Sequence, residues 1–464
     1  MKKYMRMMAV LGLSLLCATS LEAQKVKPIE TPVPVRPAGQ KDALLLTVPK
    51  MKTVRVGFIG LGMRGPTHVN SICNIDGTEI KALCDIEQKN VEKCQEMLAK
   101  YGRPKATEYY GSADAYKKLC ERKDIDLIYI ATDWVNHVPI ALYAMNHGKN
   151  VAIEVPAALN MKDIWSLINA SERTRKHCMM LENCCYDFFE LATLNMAQKG
   201  LFGTVEHVEG AYIHNLGDFW DSYWNNWRLE FNEKHRGDVY PTHGLGPVCQ
   251  VLNIHRGDRL KYLVSMDTKP LNGQRYAKKQ SGKDSPNFQN GDETSTLIRT
   301  ELGKTILIEH NVMTPHPYNR MHQIMGTDGF AAKYPVEQLC LAKDKLKEAG
   351  VANYDKIDVE SALPSATRDW LLQKYTPEFV KTIEAKAKKV GGHGGMDFIM
   401  SYRLIYCLQN GLPLDEDVYD MAEWCCMTEL TKISIENNSA PVAIPDFTRG
   451  AWNRINGFSY HFAE

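Results

Sequence analysis

Three glycines between residues 60 and 65 follow a GxGxxG spacing, and they come directly after a short apolar run, residues 54–60. Because glycine carries no side chain, the backbone and the N-terminus of a following helix can approach a pyrophosphate at this point. A glycine-rich turn without a ligand can have the same spacing, so the preceding strand is what favours the nucleotide interpretation. The candidate nucleotide-binding residues in this segment are Gly60, Gly62, Met63, Arg64 and Gly65.

An acidic residue, Asp85, closes the next apolar run, 20 residues after Gly65. A carboxylate at this position can accept hydrogen bonds from the ribose hydroxyls of a dinucleotide. Its negative charge would repel a 2′-phosphate, so Asp85 favours NAD over NADP. The alternative interpretation is an aspartate that caps the next helix beside a turn that holds no ligand.

Polar and aromatic residues follow two later apolar runs, at residues 131–137 and 154–156. Ligands of open parallel sheets lie outside the carboxyl ends of the strands, so both segments are candidates for cofactor contact. Taken alone, the tryptophan fits a core position and the asparagine fits a helix cap. The candidates in these segments are Trp134, Val135, Asn136, His137, Glu154 and Val155.

A further segment, residues 237–248, concentrates titratable and turn residues between a charged stretch and an apolar helix. His243 lies next to a glycine, which leaves the imidazole accessible to a ligand, and a histidine can act as a base near neutral pH. A packed or helix-capping histidine is the alternative. His243 is therefore a candidate general base, and both interpretations stay open on the residues alone.

The elements that must position these residues are predicted to form an α/β protein. Apolar, β-rich runs alternate with helical stretches such as 88–101 and 161–176; the runs are 54–60, 79–85, 126–132, 150–156 and 177–183. This rhythm is typical of a Rossmann-type, doubly wound parallel sheet that helices cover on both faces. After residue 183 the strands 205–213 and 305–311 alternate with aromatic and glycine-rich loops. That pattern predicts an α+β domain with a large, mainly antiparallel sheet.

The chain divides into four predicted parts. Lys2, Lys3 and Arg6 precede an apolar run that ends at Cys17, so residues 1–23 have the layout of a signal peptide for export to the periplasm or the medium. The run is shorter than the roughly 20 residues that span a bilayer. A lipoprotein anchor at Cys17 fits less well, because Leu16 is bulky where small residues are usual. A proline-rich linker (24–50), a Rossmann domain (51–183) and a substrate-binding domain (184–464) follow.

The composition disfavours several classes of function. The 464 residues carry a formal net charge of +1, so no global charge favours nucleic acid or an anionic surface. The 13 cysteines are scattered without a CxxC pair, and HExxH does not occur, so neither a metal site nor a disulfide framework is predicted. No membrane span is predicted after the signal peptide. A small, mostly uncharged ligand fits this composition best.

The strand-end motifs resemble those of the glucose-fructose oxidoreductase (Gfo/Idh/MocA) superfamily, in which the fourth strand ends in Glu-Lys-Pro. Here Val155 replaces that lysine, which in the dehydrogenases lies beside the hydroxyl being oxidised. Segment 237–248 resembles the signature of glycoside hydrolase family 109, the α-N-acetylgalactosaminidases of this superfamily, which likewise have Glu-Val-Pro. Other stretches similar to that family are 182–186, 227–228, 315–320, 394–397 and 445–450. The resemblance covers essentially everything after residue 50.

Carried over residue by residue, the resemblance implies that Asn183 joins the cofactor contacts. It also implies a set of residues that face the sugar: Tyr212, Arg228, Tyr240, Pro241, Thr242, His243 and Tyr318. Half-buried packing is the alternative for Tyr212 and Tyr318, and a structural salt bridge is the alternative for Arg228. Asp397 is expected to brace the site. The three tryptophans at 220, 224 and 227 offer flat surfaces for a sugar face or belong to the core.

The resemblance implies a glycosidase that acts on terminal α-N-acetylgalactosamine of a small molecule or glycan. The sequence offers no convincing pair of the carboxylates that direct hydrolysis uses. With NAD, oxidation at C3 of the sugar would acidify the C2 proton, and elimination across C1 and C2, water addition and hydride return would complete the cycle. In this scheme His243 is the base at C2, and Tyr186 or Tyr240 moves a proton at the leaving oxygen or the C3 hydroxyl.

Two alternatives from other classes remain open. An NAD-dependent sugar oxidoreductase of the same superfamily would release an oxidised product, which the replacement of lysine by Val155 disfavours. A non-catalytic sugar-binding protein is disfavoured by the intact glycine motif, Asp85 and the His243 segment. The sheet surfaces of the family also suggest a homo-oligomer.

Overall fold

The computed structural model describes residues 27–463, in which two sheets organise the chain. The strands of the first sheet are β1 (Val54–Ile59), β2 (Thr78–Cys84), β3 (Thr107–Tyr109), β4 (Leu127–Ile130), β5 (Asn150–Ile153) and β6 (Cys178–Met180). All neighbours are parallel, in the order β3-β2-β1-β4-β5-β6. This is the Rossmann strand order, so the predicted doubly wound sheet is confirmed.

The helices that accompany this sheet explain its sequence pattern. They are α1 (Gly65–Cys73), α2 (Gln88–Lys100), α3 (Ala115–Cys120), α4 (Trp134–Asn146) and α5 (Met161–Thr174). Strands β4 and β5 are buried at every position, because helices cover both faces of the sheet. The prediction did not include β3, whose three residues lie at the edge of the sheet and carry no apolar run.

The second sheet is mainly antiparallel, as predicted. Its strands are β7 (Val205–Ile213), β8 (Leu260–Asp267), β9 (Thr294–Thr300), β10 (Thr305–Asn311), β11 (Gln323–Gly326), β12 (Gly329–Ala332), β13 (Gln338–Leu341) and β14 (Val442–Ala443). They lie in the order β13-β12-β11-β7-β10-β9-β8-β14, and β7 and β10 pair in parallel. Buried and more exposed residues alternate along β9 and β10, because one face packs on the core and the other faces outward.

The later helices connect the two sheets. They are α6 (Phe188–Gln198), α7 (Trp227–Lys234), α8 (Thr242–Val251), α9 (Leu271–Ser281), α10 (Lys343–Glu348), α11 (Ser365–Tyr375), α12 (Glu378–Val390), α13 (Met396–Asn410), α14 (Val418–Cys425) and α15 (Met427–Glu436). Helices α8 and α15 pack on the second sheet, whereas α13 returns to α1 and α14 returns to α5. Residues far along the chain therefore complete the Rossmann domain and can reach its ligand site. No helix among residues 27–463 is both long and apolar enough to cross a membrane.

The segment that precedes β1 differs from the extended linker that the sequence predicted. Residues 27–50 lack regular elements, as a proline-rich segment should, but they pack against the protein. Ala43, Leu46 and Val48 are buried, and the guanidinium of Arg36 forms an ion pair with the buried Glu172. These apolar contacts, ion pairs that include Arg36 with Glu172, and backbone hydrogen bonds such as that from Ile29 N–H to Pro441 O hold the segment in place, so it is a docked strap rather than a spacer. The predicted signal peptide lies outside the described residues.

Candidate active site

A cleft of about 1050 Å³ lies at the carboxyl ends of β1, β4 and β5, between the two sheets. The predicted cofactor residues that line it are Gly60, Gly62, Met63, Arg64, Asp85, Trp134, Asn136, His137, Glu154, Val155 and Asn183. The predicted sugar residues that line it are Tyr212, Arg228, Tyr240, His243 and Tyr318. The structure therefore brings the two predicted sets into one continuous space.

Some predicted residues lie outside the lining of the cleft. Val135 does not line the cleft, and 62% of its surface is exposed. Pro241 and Thr242 are buried at the start of α8, directly before His243 in the chain. Gly65 is buried at the start of α1, and its lack of a side chain determines the shape of the loop.

The glycine loop fits a pyrophosphate. A Cβ on Gly65 would lie 2.0 Å from the carbonyl oxygen of Gly60, so this glycine lets α1 start close against β1. A Cβ on Gly62 would meet only Asn90 Nδ2, at 3.9 Å, and would enter the open cleft. The side chain of Arg64, the N-cap residue of α1, does not cap the helix. The loop thus leaves room beside backbone N–H groups that can bind an anion.

Asp85 and His137 hold the loops of this nucleotide site. The Asp85 carboxylate accepts hydrogen bonds from the backbone N–H of Leu61 at 2.6 Å and of Glu87 at 2.8 Å. The ring nitrogens of the buried His137 lie 2.9 Å from Pro156 O and 3.1 Å from Thr132 O. Asp85 also lines the cleft, in the position from which a carboxylate can accept bonds from ribose hydroxyls.

Arg64 binds one carboxylate in each of the two domains. Its Nε donates to Glu154 at 3.0 Å and its Nη2 donates to Asp397 at 3.1 Å. Burial opposes ionisation of Glu154, but Arg64 and His68 outweigh it and hold the pKa of this carboxyl well below its usual range. Asp397 also accepts a hydrogen bond from Asn183 at 2.5 Å. The position of Asp397 is therefore that of a brace across the cleft.

His243 is held by a carboxylate that the sequence analysis did not assign. The Nδ1 atom lies 2.7 Å from Oε1 of Glu182, which is fully buried just after β6. Burial opposes ionisation of Glu182, but His243 outweighs it and lowers the pKa of this carboxyl. An ionised carboxylate can only accept, so Nδ1 carries a proton towards Glu182, which leaves Nε2 as the ring nitrogen that faces the cleft. Nε2 lies 3.4 Å from the Tyr240 hydroxyl, and both side chains line the cleft.

Arg228 places a buried cation in the cleft without a carboxylate partner among residues 27–463. Its guanidinium carbon lies 4.8 Å from the ring centre of Tyr240, 5.0 Å from Tyr223 and 5.1 Å from Trp134. Its Nη1 donates to the Tyr223 hydroxyl, whereas Nε has no hydrogen-bond partner in the described chain. The structural salt bridge considered above is therefore absent from this part of the protein, and Arg228 lines the cleft with a guanidinium that no carboxylate of residues 27–463 binds.

Tyr186 is not brought into the cleft, which removes it as a candidate for proton transfer. It is 1% exposed, and its hydroxyl lies 3.5 Å from Oδ2 of Asp415, a carboxylate that binds Arg403. Burial raises the pKa of Tyr186 well above its usual range. Tyr186 and Tyr240 were equivalent by sequence, but only Tyr240 lies beside His243.

Comparison with known proteins identifies the family. The family model described as "Glycosyl hydrolase 109, C-terminal domain" matches residues 186–454, which is more than half of the chain. The chain belongs to glycosyl hydrolase family 109. A second model, "Oxidoreductase family, NAD-binding Rossmann fold", matches residues 54–182. The two resemblances that the motifs indicated, to the Gfo/Idh/MocA superfamily and to family 109, are confirmed.

Relatives within family 109 extend over the full chain. Glycosyl hydrolase family 109 protein 1 of Bacteroides fragilis is 63% identical over 455 residues, and the match covers 98% of both chains. The protein of the same description from Bacteroides thetaiotaomicron is 60% identical over 459 residues, again covering 98% of both. These relatives place the whole chain, and not one domain of it, in family 109.

Solved structures at low identity show the same fold. Scyllo-inositol dehydrogenase from Lactobacillus casei, with bound NAD(H) and scyllo-inositol, aligns with a TM-score of 0.58 at 14% identity and covers 84% of this chain and 99% of that chain. The WlbA dehydrogenase from Bordetella pertussis, in complex with NADH and UDP-GlcNAcA, aligns with a TM-score of 0.61 at 14% identity and covers 86% and 100%. The family 109 chain therefore has the fold of these dehydrogenases.

Two residues of the cleft region were missed by sequence reasoning. Glu182 follows β6, so the rule that selected Glu154 at the end of a parallel strand would also have selected it. His214 follows β7 and lines the cleft, where its Nδ1 lies 2.9 Å from the Tyr212 hydroxyl. Burial, with Arg228 and His243 nearby, lowers the pKa of His214 to about 4. His214 is therefore neutral at pH 7 and can only act as a neutral hydrogen-bonding group.

Glu182, Cys184 and His243 also have the residue types that bind metals. One ligand atom from each lies within 4.8 Å of the others. The short bond between Nδ1 and Glu182 already uses the imidazole nitrogen nearest this group. The geometry therefore favours a hydrogen-bonded acid and base over a metal centre.

Proposed function

We propose that this protein is a glycosidase that releases terminal α-N-acetylgalactosamine from glycans, with NAD as its catalytic cofactor. The observation that carries the proposal is the hydrogen-bonded chain from Glu182 through His243 to Tyr240, which ends in the same cleft as the glycine loop. Membership of family 109 supports a glycosidase, and the NAD-binding Rossmann domain supports a nucleotide cofactor.

The nucleotide residues of this chain suit the proposed cofactor. The glycine loop and the N-terminus of α1 would hold the pyrophosphate of NAD, and Asp85 would accept hydrogen bonds from its ribose. When bound, NAD supplies reversible hydride transfer at C3 of the sugar, which makes the proton on C2 acidic. Val155 lines the cleft where the superfamily dehydrogenases carry lysine, so the chain lacks at this point the group expected of a simple dehydrogenase.

The side chains beside the sugar would then move protons. His243 removes the proton from C2 through Nε2, and Glu182 stabilises the imidazolium that forms because its carboxylate is already bonded to Nδ1. Burial holds the pKa of Tyr240 well above its usual range, so this hydroxyl stays protonated and can donate to the leaving oxygen. Arg228 binds hydroxyl or acetamide oxygens of the sugar. Loss of such an acid or base typically costs on the order of 10²- to 10⁴-fold in rate.

The test is hydrolysis of a nitrophenyl α-N-acetylgalactosaminide in D₂O by the purified protein, without added NAD. Deuterium at C2 of the released sugar is expected, because the proton removed there is replaced from solvent. Net NADH should not accumulate, because no oxidised sugar is released. Mass spectrometry and NMR of the sugar, and absorbance at the NADH band, give the two readouts together.

Each alternative has its own outcome in the same experiment. Release of sugar without deuterium at C2, once washout of the label is excluded, would contradict the proposed mechanism. Accumulation of NADH with a keto sugar and no hydrolysis would indicate an oxidoreductase. Binding of the sugar without turnover, with or without added NAD, would indicate a non-catalytic binding protein.

Export is part of the same proposal. The signal layout of residues 1–23 supports a periplasmic or secreted enzyme that meets glycans outside the cytoplasm, with an anchor at Cys17 the less favoured route. Fractionation of the producing cell and mass analysis of the mature N-terminus test this proposal. A cytoplasmic protein that begins at Met1 would contradict it.

A further inference from the structure

The connection between β7 and α7, residues 214–226, forms the mouth of the cleft and is anchored in the core. Leu216 and Trp220 are 1% and 3% exposed. The backbone N–H of Leu216 donates to Val312 O at 3.1 Å, and the Trp220 ring lies 6.2 Å from that of Tyr276. The loop therefore has a defined position, although it is long and lies at the surface.

The same loop leaves two large aromatic side chains in solvent. Phe219 and Trp224, here called the aromatic lip, are 50% and 57% exposed, and both line the cleft. Two left-handed residues, Asn225 and Asn226, follow Trp224 at φ 50° and 54° and define the turn that carries it. Exposed aromatic rings on an anchored loop beside a cleft are typical of a ligand-binding surface.

Neighbouring contacts place the aromatic lip beside the predicted sugar residues. The Phe219 ring lies 5.9 Å from that of His214, which lies 5.1 Å from the ring of Tyr318. Trp224 follows Tyr223 directly, and the Tyr223 hydroxyl accepts a hydrogen bond from Arg228. A ring that extends outward from the sugar held at Arg228 and His243 would therefore reach the lip.

We propose that the aromatic lip is the subsite for the leaving group, and that it stacks against the apolar face of the second, neutral sugar ring of a glycan. This inference rests on the proposed glycosidase function and adds the class of leaving group that the enzyme prefers. Asp218 and Asp221 lie exposed beside Phe219 and Trp220, so the rim carries negative charge. A neutral sugar fits that rim, whereas a sialylated or sulfated one would be repelled.

The test compares two substrates that share the terminal sugar, a neutral trisaccharide and the methyl glycoside. In the double variant Phe219→Ala, Trp224→Ala, the ratio of kcat/KM for the trisaccharide to that for the methyl glycoside should fall about tenfold or more, because only the trisaccharide can stack. Trp224→Phe keeps a flat ring and should restore part of the ratio. Trp370→Ala, which removes another exposed tryptophan, on α11, is the matched control and should leave the ratio unchanged.

A binding measurement separates this inference from the proposed function. Calorimetric titration of the trisaccharide into the NAD-loaded protein should show a dissociation constant about tenfold higher in the double variant. If the protein shows this difference in binding but does not cleave the trisaccharide, the proposed glycosidase function is contradicted and the proposed subsite is supported. An unchanged ratio, loss of retained NAD in the double variant, or no binding and no cleavage by the unmodified protein would each overturn the subsite.

Discussion

At the scale of single residues, burial and neighbouring groups together set the pKa values of the ionisable side chains in the site. Glu182 is fully buried yet has a lowered pKa, because the imidazole of His243 lies 2.7 Å away. The carboxylate in turn decides which imidazole nitrogen carries the proton. The imidazole of His243 therefore has a defined orientation in the structure, and the effect of this orientation can be tested by removing either partner.

The first prediction concerns this pair. His243→Ala should lower turnover of the glycoside by about 10²- to 10⁴-fold, because proton removal at C2 loses its base. Glu182→Gln should lower it by on the order of tenfold or more, because a neutral amide no longer stabilises the imidazolium. His147→Ala, at an exposed helix end, is the control. Retained NAD, measured after denaturation, should be unchanged in all three proteins. Near-normal turnover in His243→Ala would return this residue to a structural role.

The second prediction concerns Asp238, two residues before Tyr240. Burial, with Glu293 nearby, raises the pKa of Asp238 to about 7, although its carboxylate accepts a hydrogen bond from the Tyr240 N–H. Between about pH 4 and pH 7 the unfolded chain loses this proton while the folded protein keeps it, so folded-state stability falls as pH rises. Asp238→Asn keeps an acceptor oxygen and should not show this loss.

The melting temperature at pH 5 and pH 8 provides the measurement for Asp238. The melting temperature of Asp238→Asn, relative to that of the unmodified protein, should be higher at pH 8 than at pH 5. Asp344→Asn changes an exposed aspartate and should follow the unmodified protein at both values. Parallel pH profiles for Asp238→Asn and the unmodified protein would show that Asp238 is not the group responsible.

At the scale of elements, the connection from β1 to α1 shows why glycines in one motif are not equivalent. Gly60 has a φ of 89°, and a Cβ there would lie 2.5 Å from the backbone of Ala131. Gly65 meets the Gly60 carbonyl, whereas Gly62 meets open space in the cleft. Gly60 and Gly65 are therefore required by close backbone packing, whereas Gly62 leaves space in the cleft.

The third prediction uses this difference. Gly62→Ala should leave the melting temperature nearly unchanged but weaken NAD binding about tenfold or more, because its methyl group enters the space for the pyrophosphate. Gly65→Ala should lower the free energy of unfolding by about 1–3 kcal/mol, because its Cβ would overlap Gly60 O. Thermal unfolding and titration with NAD⁺ measure both effects. Equal losses of stability in the two variants would contradict the assignment.

At the scale of the whole molecule, the second sheet presents an open face away from its helices. Val264, Leu297 and Leu307 lie side by side on β8, β9 and β10, and Leu297 is 52% exposed. An apolar stripe across an uncovered sheet face is a common site of protein association. We therefore propose that this face joins two copies of the chain, which is the homo-oligomer that the sequence suggested.

The fourth prediction is that Leu297→Glu shifts the protein to the monomer, because it places a charge in the middle of the stripe. Sedimentation velocity gives the mass directly. Leu302→Glu introduces the same charge at a residue 62% exposed, in the turn after β9, and should keep the oligomer. A monomeric unmodified protein, or an oligomer that survives Leu297→Glu, would show that this face does not mediate association.

Much of the nucleotide site could be predicted from the sequence because its determinants are local. The glycine spacing, the carboxylate at the end of β2 and the polar residues after β4 and β5 each occupy a short segment whose place in a parallel sheet follows from chain order. Val135 is a position at which the local sequence did not predict which way the side chain points. It lies within the predicted segment, but the side of α4 that it occupies faces solvent.

Only the tertiary structure decided which groups meet across the two domains. His243 and Glu182 are 61 residues apart in sequence, and Arg64 and Asp397 are 333 apart. Such pairs form because α8 packs on β7 and α13 returns to α1, and side-chain packing between distant segments has no local signature. Tyr186 and Tyr240 illustrate the point, since both lie in motif-like segments. Packing buries one against Asp415 and places the other beside the imidazole of His243.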